Sequence, residues 1–186
     1  MAAHGAMTIS IDVEPAWAHR PIPRRIIDGL PLERAIVNRL VDLFARYDIR
    51  ATWAIVGRWL LDTTGCQDAG LLPAVENAPK RPGSEEGDAD RHDYDAAPLR
   101  GAEIVERLRR VTPPQEIASH SFCHIHYDER RTDRAAVRAD IAEAKRVHEL
   151  SRLPFQSFIF SDNVMGFRPL LAEAGILAPR PIPSLV

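Results

Sequence analysis

The chain of 186 residues carries 24 Lys and Arg against 26 Asp and Glu, a formal charge of -2, so it has no positive field of the kind that draws nucleic acid or an anionic membrane surface. Its length suits one domain, residues 1–186, with a real buried core. No stretch approaches the ~20 apolar residues of a membrane helix, "MAAHGAMTIS" lacks a secretion-signal pattern, and Cys66 and Cys123 are too few for a disulfide framework, so the expectation is a cytoplasmic protein with free thiols.

In chain order, "TISIDVE" alternates with Ile9, Ile11 and Val13 and reads as a first strand, which Pro15 helps to end. The proline-studded "AHRPIPRR" reads as loop. "LPLERAIVNRLVDLFARYDIR" then places Ile36, Leu40, Leu43 and Phe44 at helical spacing behind a proline. "RATWAIVG" is a second, buried strand closed by Gly57, and "RWLLD" a short helix start. From Glu76 to Asp95 the run is acidic, rich in Pro and Gly and nearly without apolar residues. It predicts a mobile surface insertion, residues 76–98 with its flanks. "LRGAEIVERLRRV" resumes helical spacing, and "EIASHS" is a third strand. "TDRAAVRADIAEAKRVHEL" follows as a long helix with Thr132 as its cap, then "FQSFIF" as a fourth strand and "RPLLAEAGI" as another helix. Such alternation predicts an α/β architecture with parallel strands.

Side chains two apart in a strand share a face, so Asp12 and Glu14 project together from the end of the first strand. α/β folds place their sites at the carboxyl ends of strands, where His120 and His124 follow the third. Two neutral imidazoles and one carboxylate make a catalytic zinc set with one position open to water. The second carboxylate is then placed to act as a base.

In order and spacing, "SIDVE", "ATWAIVG", "EIASHSFCH" and "SFIF" resemble the polysaccharide deacetylase superfamily, carbohydrate esterase family four. His120, Ser121 and His124 complete its His-Ser-x-x-His motif. The first motif departs from the common Thr-Phe-Asp-Asp-Gly, with Val13 where the second aspartate stands, and looks like the Asp-x-Glu variant. The resemblance implies an incomplete or distorted (β/α) barrel of parallel strands with surrounding helices. It also implies a divalent metal, Zn2+ or another transition metal, and hydrolysis of an N-acetylated carbohydrate or small amide. Carried over residue by residue, Asp12 matches the catalytic base and Glu14, His120 and His124 the metal ligands, the roles of Asp12 and Glu14 being exchangeable. Family members run on to a third-motif arginine and a late acid histidine, whereas here the text is "FSDNVMGF" and no histidine follows His148. The resemblance therefore implies a shortened form, a fold that a partner chain completes as a homo-oligomer, or a relative of the same fold that only binds a glycan or a partner.

Around these residues, Asn163 stands near the site and Trp17, just beyond the acids, is a candidate for stacking on a sugar ring; both are taken as substrate contacts. Trp53 and Trp59 read as core, His126 as a surface histidine and Cys123 as a small buried apolar residue. Ser121 reads as a brace of the loop through hydrogen bonding to the backbone.

Overall fold

The computed structural model of the protein describes residues 7–14, 24–64 and 102–180. Its elements are β1 (Ser10–Val13), α1 (Arg24–Arg46), β2 (Thr52–Ile55), a 3-10 helix (Gly57–Thr64), α2 (Ala102–Arg110), β3 (Glu116–Ser119), α3 (Arg134–Leu150), β4 (Ser157–Ile159), a 3-10 turn (Ser161–Asn163), α4 (Arg168–Glu173) and β5 (Ala178–Arg180). The five strands form one parallel sheet in the order β1-β2-β3-β4-β5. Because the spatial order follows the chain order, every right-handed crossover turns the same way and brings its helix to the same face. Among the described residues the sheet is not closed, and β1 and β5 are its edges.

One face of the sheet carries the main core. Val13, Trp53, Ile55, Ile117 and Phe158 pack there with Val41 and Phe44 of α1, Ile104 and Leu108 of α2, and Val137, Ile141 and Val147 of α3. The opposite face is lined with small residues, Ala54 and Ala118 beside Ile159. Asp12 pairs in register with Ala54, and Ala54 with Ala118, so Asp12 belongs to this second face. Two residues farther along their strands, Glu14 and His120 emerge on the same side. The two alanines leave the space that the polar groups use.

The other end of the sheet is pinned by two polar residues of the β3 approach. Gln115 Oε1 accepts from the Ala51 amide at 3.1 Å and from Trp53 Nε1 at 3.0 Å, while its Nε2 donates to the Ile49 and Pro113 carbonyls. Glu116 accepts from the Thr52 hydroxyl at 2.5 Å and from the Ser157 hydroxyl, which ties β2, β3 and β4 at their starts.

Four sequence expectations need correction. Helix α1 starts at Arg24, so the helix includes "RRIIDG" and runs through Pro31 rather than opening behind it. Its buried stripe is Val41 and Phe44, whereas Ile36 and Leu43 are 50% and 39% exposed. The cap of α3 is Asp133 and not Thr132: the Asp133 carboxylate accepts from the Ala135 and Ala136 amides, and the Thr132 hydroxyl donates to the His126 carbonyl. β5 was not foreseen, because three residues containing Pro179 show too little alternation to mark a strand; it pairs at the edge, where proline is tolerated. Trp53 and Trp59 are buried as expected. Trp17, Cys66 and the expected insertion at 76–98 lie outside the described residues. No helix among the described residues is long and apolar enough to cross a membrane.

Candidate metal centre

Glu14 lies just past β1, and His120 and His124 just past β3, at the carboxyl end of the sheet. Glu14 Oε2 stands 3.1 Å from His120 Nε2 and 2.5 Å from His124 Nε2. One ligand atom from each of the three residues lies within 4.8 Å of the others. Asp12 Oδ2 is 3.9 Å from His120 Nε2, beside this group. Both imidazoles are buried, and their rings meet edge to face at 5.0 Å.

The His120 ring is oriented from β4. Its Nδ1 lies 3.0 Å from the Ile159 carbonyl, so Nδ1 carries the proton and Nε2 is turned toward Glu14. In a neutral ring that Nε2 is a lone pair facing an anionic oxygen, an arrangement that needs either a second proton or a cation between them. His124 Nε2 is buried and makes no hydrogen bond despite its short distance to Glu14. Asp12 Oδ1 is likewise buried without a hydrogen-bond partner. Buried polar atoms are rarely left unpaired. The orphaned His124 Nε2, which converges with His120 Nε2 on a Glu14 carboxylate oxygen, fits a divalent cation, and a His, His, Glu donor set suits a transition metal such as zinc.

The carboxylates are pushed in opposite directions. Burial raises Glu14, but the His120 hydrogen bond and the His124 contact outweigh it and bring Glu14 down to about 2. Burial also raises Asp12; the His120 and His124 imidazoles oppose it, the Glu14 and Asp162 carboxylates reinforce it, and the net shift is upward. Burial pushes His120 down, yet Glu14 and Asp12 more than compensate and hold it above its ordinary value. One acid is thus held as an anion while its neighbour is made more basic.

The loop carrying the histidines has an unusual backbone. Ser121 and His124 have φ of 61° and 56°, in the left-handed region that non-glycine residues seldom enter. The expected brace is corrected here: Ser121 Oγ is buried without a hydrogen-bond partner. The loop is held instead by Asp140 of α3, which accepts from the Phe122 and Cys123 amides, each at 2.9 Å, and from the Tyr127 hydroxyl. Sequence reading passed over Asp140, although a signal existed. It lies on the buried stripe of α3 with Val137, Ile141, Ala144 and Val147, an acid where the pattern calls for an apolar residue.

The remaining candidates sit around this group. His126 is partly exposed and its Nε2 lies 2.5 Å from Asp162 Oδ2, joining the loops after β3 and β4. Asn163 is exposed in the turn after β4 and is not part of the converging set. Cys123 is buried, as its apolar reading anticipated.

No family model and no curated protein matches the sequence. Among solved structures the chain is similar to a CE4 family pseudoenzyme from Bacillus anthracis, with 13% identity and a TM-score of 0.51 over 92% of this chain and 41% of that one. A mutant of that pseudoenzyme with restored enzymatic activity gives 13% identity and a TM-score of 0.51. Another mutant gives 14% identity, again at 0.51, and the chain covers 43% of each mutant. The chain therefore spans about two fifths of the length of these structures. At such identity the likeness is one of fold, and the open parallel sheet with its helices is CE4-like.

Proposed function

We propose that the protein is a metal-dependent hydrolase that cleaves the carbon-nitrogen bond of an amide, with an N-acetylated sugar as substrate. The observation that carries this reading is the convergence of Glu14 Oε2 with the Nε2 atoms of His120 and His124, beside a second carboxylate of raised basicity. Glu14, His120 and His124 would hold the metal, which when bound lowers the pKa of water toward ~7 and polarises a carbonyl. Asp12 is the base: its carboxylate, whose Oδ2 stands 3.9 Å from His120 Nε2, takes the proton of the attacking water. Hydrolysis then places the water oxygen in acetate, and the proton taken up by Asp12 passes to the departing nitrogen, which leaves as the free amine of the sugar. Ile159 keeps His120 in the tautomer that presents Nε2. Asn163, exposed at the same end of the sheet, is assigned to the substrate, and Trp17, three residues after Glu14, is the stacking candidate.

A second reading is a non-catalytic glycan- or partner-binding protein of the same fold. The pseudoenzyme status of the wild-type Bacillus anthracis protein, whose fold the chain is similar to, favours it.

One experiment separates the two. Purified protein should bind about one equivalent of zinc and lose it on His120→Ala. Acetate release from N-acetylglucosamine oligomers should fall about 10²- to 10⁴-fold on Asp12→Asn with zinc retained. Zinc bound without acetate release, together with retention on an N-acetylglucosamine column, would favour the second reading, and no zinc uptake under any condition would remove the metal reading.

A further inference from the structure

We propose that Asp140 is the positioning residue of the metal loop, setting the direction of His120 and His124 without touching metal or substrate. This rests on the metal reading above. The peptide units of 121–123 are held from two sides. On one side the Gly57 and Arg58 amides donate to the Ser121 and Phe122 carbonyls at 2.9 and 3.0 Å. On the other side the Phe122 and Cys123 amides donate to Asp140 Oδ2 and Oδ1, one oxygen each. Gly57 is fitted to this contact, since a Cβ there would stand 3.0 Å from the Phe122 ring and 3.1 Å from its Cα.

Such a clamp is needed because the loop is not a low-energy path for its residues. Left-handed backbone at Ser121 and His124 costs roughly 1–2 kcal/mol each. It is precisely placed only where the surroundings over-determine it. Asp140 is 5% exposed, and a carboxylate that buried is tolerated when charge-assisted hydrogen bonds replace its hydration. The Tyr127 hydroxyl supplies one such bond at 2.9 Å, and its ring is fixed against Phe158 and Phe160. An asparagine at 140 would offer one oxygen and one amine to two amide donors, so one N–H would be left facing another.

The test is zinc affinity by competition with a chelator, with the visible spectrum of the cobalt-loaded protein as a reporter of ligand geometry. Asp140→Asn is expected to weaken zinc binding about 10- to 100-fold and to alter the cobalt spectrum. Val137→Ala, one turn earlier on the buried stripe of α3, should lower stability while leaving both readouts native. If Asp140→Asn fails to fold, Tyr127→Phe removes only the hydroxyl and should weaken zinc about 2- to 10-fold. Native zinc affinity and spectrum in either folded variant would overturn the positioning role. A native chain that takes up no zinc would instead overturn the metal reading beneath it.

Discussion

Asp12 and Glu14 share one strand end yet are driven apart in acidity, and the cause is contact: Glu14 meets both imidazoles, whereas Asp12 stands 3.9 Å from one of them among other carboxylates. On the proposed reading, that separation would let two like residues take two roles. A different buried histidine gives a cleaner test of titration. His148 on α3 donates from Nδ1 to the Pro154 carbonyl at 3.1 Å, its Nε2 has no hydrogen-bond partner, and burial depresses it from 6.5 to about 4. The folded state therefore holds this ring neutral where the unfolded chain would protonate it. Its contribution is full above pH ~6.5 and is lost as the pH falls toward ~4, by at most about 3 kcal/mol. His148→Leu should flatten that part of the denaturation-midpoint profile, and an unchanged slope between the two pH values would refute the assignment.

The elements that were legible in the sequence are those that bury one face continuously. α3 shows it, with Val137, Ile141, Ala144 and Val147 repeating at helical spacing, whereas β2 is buried on both faces and was legible as a short apolar run closed by Gly57. The pair of acids was legible because strand geometry fixes where alternate side chains point, and the pair of histidines because it completes a His-Ser-x-x-His pattern at the end of a predicted strand. What periodicity misses is contact set by tertiary packing. Asp140 stands out as an acid on the buried stripe of α3, but no periodicity names its partners in the histidine loop, and β5 is too short to have a pattern. The loop after β4 is another such case. A Cβ at Gly166 would stand 2.1 Å from the Tyr127 carbonyl oxygen, and the Phe167 amide donates to Glu129 at 2.8 Å, so this loop seats directly on the one that follows the histidines. Gly166→Ala should destabilise the fold by about 1–3 kcal/mol in chemical denaturation, because backbone rather than a flexible side chain must move. A midpoint equal to the native one would show that the two loops are not in such close contact.

The sheet as a whole explains why the site lies where it does. Sequential strand order gathers the helices on one face and leaves the other to Ala54, Ala118 and Ile159, with the acids of β1 and the imidazoles after β3 converging at its carboxyl end. β1 and β3 are not neighbours, so a cation shared by Glu14, His120 and His124 would join two strands across the small residues of β2. The decisive observation is a crystal structure from zinc-soaked crystals with anomalous data collected at the zinc edge. One anomalous peak about 2.0–2.2 Å from a Glu14 carboxylate oxygen and from Nε2 of both His120 and His124 is the predicted result. A peak elsewhere, or density showing the Glu14 and Asp12 side chains turned away from the imidazoles, would contradict it.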